Sequence, residues 1–258
     1  MRHDAPRIQG WLDPDWSPGA ASTLELHALF LAAPREPLRS LPHRQTFAWP
    51  ESNPRAIVKR TRGDLFRDRW HDYLRGRLRS PGQREFENLR KLTQAGIPVP
   101  RALGWGRSGA LSLVLMERVG YTRTLRQCLE DGDDRVLPEQ LESLARLVAD
   151  LHAAGWYHRD LYLEHVALLP NGNLCLLDLG RARQQARPRS RWLAKDLGAL
   201  LFSLPARLPA ATRLRFLARY LDLRGIHGAR TRREWARAAE FRRGRIASHA
   251  PRHVSPPA

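Results

Sequence analysis

Four charged side chains in this sequence stand where phosphate chemistry would use them. Asp160 follows His158 and Arg159 and precedes Leu161; a carboxylate held in such a loop accepts the proton of an attacking hydroxyl. Asp178 ends an apolar run ahead of Leu179-Gly180, where a carboxylate takes the divalent cation that bridges phosphates. Upstream, Ala56-Ile57-Val58 leads into Lys59, a residue type suited to neutralising phosphate, and Glu85 on a following helical segment is its expected ion-pair partner. Leu89 and Leu92, at i+4 and i+7 from Glu85, put that glutamate above an apolar stripe, with Glu87 as the register alternative. Taken singly, each has a plainer reading: an edge-strand charge for Lys59, a solvated helix residue for Glu85, a turn former for Asp160 and a cap before Gly180 for Asp178.

The elements around these residues decide between the two sets of readings. From Leu24 to Val119 the apolar runs are short and strand-like, apart from the helical segment near Arg84–Gln94. Beyond Thr122 the spacing turns helical, with Leu137, Leu141, Leu144, Val148 and Leu151 on one face and Gly155 as a stop. Val166–Leu169 and Leu174–Leu177 flank Pro170-Asn171-Gly172-Asn173, which predicts a hairpin just after Asp160. Three more amphipathic stretches follow, at 192–204, 211–223 and 230–246. The expected fold is α+β and bilobal, of the protein-kinase-like type: an irregular lead-in over 1–20, a strand-rich N-lobe with one main helix over 21–118, a mainly helical C-lobe over 119–248 and a Pro-rich tail over 249–258. Jointly, in this order and on these elements, the four residues read as a phosphoryl-transfer site, and Met116, Glu117 and Val119 fall on the connection expected to border adenine.

Bulk properties exclude some classes and leave others. The chain has 258 residues, long enough for two lobes, and only two cysteines, Cys128 and Cys175, which supports neither a disulfide framework nor a zinc site. The N-terminus lacks an apolar signal core and no stretch approaches about 20 apolar residues, so a cytoplasmic location is expected. The net charge of +18 implies polyanion attraction, but no zinc-finger, basic-zipper or RNA-recognition signature accompanies it, and no nucleic-acid partner is expected. Only Lys59, Lys91 and Lys195 among the 44 basic residues are lysines. Coding bias accounts for this as well as selection for anion binding does. The segment from Arg60 to Arg84 mixes arginines with Asp64, Asp68, Asp72, Trp70 and Tyr73, and Thr231–Arg245 repeats the bias with Trp235 and Phe241. Both read either as peripheral contacts with the anionic inner-membrane surface or as solvated, ion-paired helix faces.

Several strings are similar to the lipopolysaccharide kinase (Kdo/WaaP) family: Ile57-Val58-Lys59-Arg60, Arg84-Glu85-Phe86-Glu87, Gly96-Ile97-Pro98-Val99-Pro100, the run from His158 to His165 (His-Arg-Asp-Leu-Tyr-Leu-Glu-His), Asp178-Leu179-Gly180-Arg181-Ala182 and Lys195-Asp196-Leu197. The resemblance runs from about Pro54 to Ser203 and implies ATP and Mg2+ as cofactors and a core glycolipid as acceptor. It implies Asp160 as base, Asp178 as metal ligand, Lys59 at the nucleotide, and Asp196 as a buried aspartate that, with His158 and Arg159, fixes the catalytic loop. His165 occupies the position where protein kinases place a metal-binding asparagine, as in core heptose kinases. Imidazole there either ligates the metal or orients the loop. One departure stands out: no glycine occurs between Thr23 and Lys59, so the usual glycine-rich nucleotide loop is missing, with Arg44 and Arg55 as candidate substitutes. A protein or small-molecule kinase of the same fold, or a pseudokinase scaffold, are the competing expectations.

Overall fold

The computed structural model describes residues 8–16, 21–63, 79–121, 123–131 and 137–249. The chain divides into two compact units, residues 1–94 with 99–119 and residues 95–98 with 120–258.

The first unit is built on a six-stranded antiparallel sheet of order β1-β5-β6-β4-β3-β2. Its strands are β1 (Gln9–Leu12), β2 (Arg39–Leu41), β3 (Arg44–Trp49), β4 (Ala56–Arg62), β5 (Ala102–Ser108) and β6 (Leu111–Glu117). Central β4 pairs with β3 on one side and β6 on the other, setting Lys59 opposite Thr46 and Val114. Along β4, Ala56 and Val58 are buried, so the odd-numbered partners of the pleat, Ile57 and Lys59, point to the other face. That face receives helix α2 (Pro81–Gln94), which buries Glu85, Phe86, Leu89 and Leu92.

Two expectations fail in this unit. Gln9–Leu12, inside the stretch read as an irregular lead-in, is the edge strand β1, registered from Gln9 opposite Arg107 to Leu12 opposite Gly104. Gly10 is what the pairing needs, since a Cβ there would stand 2.4 Å from the Trp105 carbonyl oxygen. The run from Leu24, read as strand-like, belongs to a second helix, α1 (Ala21–Leu31); Leu26, Leu29 and Phe30 are buried at i, i+3 and i+4, a helical period.

The second unit is mainly helical, with α3 (Leu125–Glu130), α4 (Leu137–Ala153), α5 (Ser190–Ser203), α6 (Ala210–Leu223) and α7 (Ala229–His249). On α4, Leu141, Leu144, Val148 and Leu151 are buried, and the chain turns out of the helix at Gly155 with φ +80°. Short strands frame the loop that follows. β8 (Trp156–Tyr157) pairs with β11 (Arg183–Gln184), while β9 (Val166–Leu168) and β10 (Leu174–Leu176) form the expected hairpin, to which β7 (Arg123–Thr124) adds a third strand. The loop between β8 and β9 carries Asp160, and the residues just after β10 carry Asp178. No described helix is long and apolar enough to cross a membrane. Of the stretches read as membrane-facing, residues 64–78 lie outside the described residues, as do residues 250–258 of the Pro-rich tail. Three of the four described arginines of the first stretch are spent internally: Arg60 donates to the Phe30 carbonyl at 2.7 Å and to Gln45 Oε1 at 2.6 Å, Arg79 pairs with Glu87 at 2.8 Å, and Arg84 is buried, whereas Arg62 at the end of β4 is exposed.

Candidate active site

In the first unit, Lys59 Nζ donates to Glu85 Oε1 at 2.6 Å, with both side chains about nine-tenths buried (12% and 8% exposed). A pair so far out of water persists only when geometry and further hydrogen bonds are good, because removing either partner strands a buried charge. Glu87, the register alternative, turns instead to Arg79 and to Gln83 Nε2 at 3.2 Å. Met116 is buried at the end of β6, while Glu117 is exposed, its amide bound to the Arg101 carbonyl at 2.8 Å; Val119 is half-buried. Of the proposed substitutes for the glycine loop, Arg55 lies over the Trp16 ring at 5.1 Å, and Arg44 is at the start of β3.

In the second unit, Asp196 on α5 is fully buried, and its carboxylate accepts the backbone amides of His158 at 2.6 Å and Arg159 at 2.8 Å. His152 Nε2 lies 3.4 Å from the same carboxylate, and its Nδ1 meets Tyr220 Oη at 2.8 Å. The loop so anchored holds Arg159 at φ +78°, a left-handed conformation costing a non-glycine residue about 1 kcal/mol or more. The carboxylate of Asp196 is therefore what makes that bend affordable. The His158 ring is buried and donates through Nε2 to the Leu177 carbonyl at 2.9 Å; burial pushes its pKa down, so it stays neutral.

Asp160, by contrast, is a quarter exposed. Arg181 Nη1 donates to both its oxygens, at 2.8 and 3.1 Å, and Lys195 Nζ stands 3.8 Å from Oδ1 while donating to the Arg159 carbonyl. Burial pushes the Lys195 pKa down, against the pull of Asp160 and Asp196.

Asp178 adopts φ +57°, ψ +59° as the chain leaves β10, a conformation aspartate tolerates better than most residues. His165 Nδ1 lies 2.8 Å from the Asp160 carbonyl; since a carbonyl only accepts, Nδ1 carries the proton. Nε2, which presents a lone pair whenever the ring is neutral, faces Asp178 Oδ2 at 3.7 Å. Two acceptors turned toward one another are reconciled by a proton or by a metal cation. No group of three or more His, Cys, Asp or Glu side chains suited to a metal occurs among the described residues. The Asp178 carboxylate fits a cation that draws its remaining ligands from substrate phosphates and water, as magnesium does, whereas imidazole is a ligand that this oxygen-preferring ion takes less readily.

Arg181 and Lys195 had no role in the sequence reading, although both lie in strings that carried the family resemblance. Lysine scarcity, which drew attention to Lys59, points equally to Lys195. Nothing local marks His152, Tyr220 or Ser203, whose Oγ accepts the Leu163 amide at 3.0 Å; the contacts that tie them to the loop span 40 or more residues.

The model of the lipopolysaccharide kinase (Kdo/WaaP) family matches residues 30–220, nearly three quarters of the chain. The chain belongs to that family. Among curated relatives it is 31% identical over 201 residues to the lipopolysaccharide core heptose(I) kinase WaaP of Pseudomonas aeruginosa, covering 70% of this chain and 75% of the relative. It is 28% identical to the WaaP of Escherichia coli, over 65% of this chain and 70% of the relative. To the 3-deoxy-D-manno-octulosonic acid kinase of Xylella fastidiosa it is 30% identical over 144 residues, 54% of this chain and 55% of the relative. As a member of the Kdo/WaaP family the chain is an ATP-dependent kinase.

Proposed function

We propose that this kinase transfers the γ-phosphoryl group of ATP to a sugar hydroxyl of the lipopolysaccharide core, with heptose as the acceptor. The observation that carries the reading is the His165 ring, which meets the Asp160 carbonyl at 2.8 Å through Nδ1 and faces Asp178 Oδ2 at 3.7 Å through Nε2, beside a loop whose His158 and Arg159 amides Asp196 holds. Heptose is favoured over 3-deoxy-D-manno-octulosonic acid because similarity to the two heptose kinases extends over more of this chain and of theirs.

The Asp160 carboxylate accepts the proton of the acceptor hydroxyl as its oxygen bonds to the γ-phosphorus and the bond from that phosphorus to the β,γ-bridging oxygen breaks, releasing ADP. Arg181 and Lys195 hold that carboxylate in place. Lys59 neutralises nucleotide phosphate, with Glu85 fixing the ammonium, and Met116, Glu117 and Val119 border the adenine. Asp178, with His165 Nε2, would hold Mg2+, which when bound supplies charge stabilisation to the phosphates. His158, Arg159 and Asp196 set the loop and touch no substrate. The fold divides functionally near residue 119, the enzyme works in the cytoplasm, and it meets its lipid-linked acceptor at the inner-membrane surface.

The test is transfer of labelled γ-phosphate from ATP to purified core acceptor lacking heptose phosphate, with a 3-deoxy-D-manno-octulosonic acid acceptor in parallel. Asp160→Asn is expected to lower kcat on the heptose acceptor by about 1,000-fold or more with its melting temperature little changed. ATP binding without transfer to either acceptor would sink the glycolipid reading, and absence of ATP binding would favour a pseudokinase.

A further inference from the structure

Helix α7 has two unlike faces. The inward one, Arg232, Trp235, Ala236, Ala239, Arg242, Arg243 and Ile246, is buried or half-buried at three- and four-residue spacing. It lies so close to α5 that a Cβ on Gly198 would stand 2.5 Å from the Arg242 Cβ. The cations on or beside this face are spent: Arg232 pairs with Asp222, Arg243 with Glu240, and the Arg242 guanidinium lies 5.9 Å from the Phe241 ring centre.

The outward face reads Arg230, Arg233, Arg237, Phe241 and Arg245, at steps of three, four, four and four residues, one continuous stripe on a helix about 31 Å long. Arg230 pairs with Glu234, itself exposed. The side chains of Arg233, Arg237 and Arg245 have no ion pair or hydrogen bond among the described residues, and Phe241 in their midst is 62% exposed. Arginine bias alone would leave free cations anywhere. It gives no reason for a large aromatic ring at the centre of a stripe facing water.

We infer that the outward face of α7 is a docking surface for an anionic phospholipid bilayer, with Arg233, Arg237 and Arg245 at the headgroups and Phe241 at the acyl boundary. Cations in a row attract any polyanion, whereas the central aromatic ring favours a surface with an apolar layer beneath its charge. The inference rests on the reading that the acceptor is lipid-linked, since a soluble acceptor would give the enzyme no use for such a surface.

The experiment is co-sedimentation of the full chain with phosphatidylcholine vesicles, with and without about 30 mol% phosphatidylglycerol. Arg233→Ser/Arg237→Ser/Arg245→Ser is expected to lose roughly 100-fold in partition onto the anionic vesicles. The corresponding triple lysine variant should stay within about 3-fold of the parent, and Phe241→Ser should lose about 10-fold. Parental partition by the triple serine variant overturns the inference, as does an equal loss on pure phosphatidylcholine. A Phe241→Ser variant that binds vesicles normally, while the triple serine variant loses retention on heparin, overturns it in favour of a soluble polyanion. Transfer to a delipidated core acceptor, measured on the same variants, keeps the two failures apart: it should be unchanged in all of them, and its absence in the parent counts against the proposed function and not against the surface.

Discussion

Asp196 and Asp160 belong to the same unit and bear on the same loop, yet they are treated oppositely. Asp196 is fully buried and saturated by two rigid backbone amides and the His152 ring. Asp160 is a quarter exposed and meets two flexible cations, Arg181 and Lys195. A carboxylate taken out of water and given fixed donors holds a shape; one left near water and given movable partners can exchange them for a substrate hydroxyl. The difference separates support from chemistry more sharply than distance along the chain, because the residues adjoining Asp160, His158 and Arg159, are themselves tied to Asp196.

The largest effect should come from the buried side of this comparison. Asp196→Ala strands two backbone amides and releases the left-handed bend at Arg159, so a loss of about 3–5 kcal/mol in denaturant unfolding is expected, together with transfer. Asp160→Asn, in contrast, should spare stability. If Asp196→Ala unfolded at the parental denaturant midpoint while transfer failed, Asp196 would belong with the chemistry and the contrast would collapse.

Lys195 sharpens the exposed side. Lys195→Met removes its bond to the Arg159 carbonyl and one of the two cations beside Asp160, but leaves Arg181 in place. Steady-state kinetics should show kcat reduced by about 10- to 100-fold, with KM for ATP nearly unchanged. A reduction as large as that of Asp160→Asn would make the ammonium itself part of the transition state.

What the residues announced in advance follows the same division. The Lys59–Glu85 pair was legible because lysine is rare here and because Leu89 and Leu92 fix which glutamate faces the sheet. The hairpin after Asp160 was legible from Pro170-Asn171-Gly172-Asn173, a local turn signal between two apolar runs. Strand β1 was not, since its pairing with β5 joins residues more than 90 positions apart and Gly10 there looks like a loop residue. Arg181 and Lys195 were on the page as letters, but their relation to Asp160 exists only once α5 and the turn after Asp178 are packed around the loop. Local chemistry is written locally, whereas the orientation of a catalytic group is a tertiary property.

The smallest effect falls on His158, which touches both regions: its amide binds Asp196, and its ring binds the Leu177 carbonyl next to Asp178. Burial pushes its pKa below the ordinary 6.5, so above that pH folded and unfolded chains both carry it neutral and it contributes no pH dependence. Below pH 6.5 the unfolded chain takes up a proton that the folded one refuses, and stability falls as the pH falls, by up to about 1.4 kcal/mol per unit. His158→Asn should therefore flatten the decline measured by urea unfolding between about pH 6.5 and pH 5.5. An unaltered slope would mean that the folded ring accepts the proton, which would put a charge on Nδ1, a buried atom with no hydrogen-bond partner among the described residues. That outcome would make the support beneath Asp160 responsive to pH, and the distinction between a fixed support and a movable base would no longer hold.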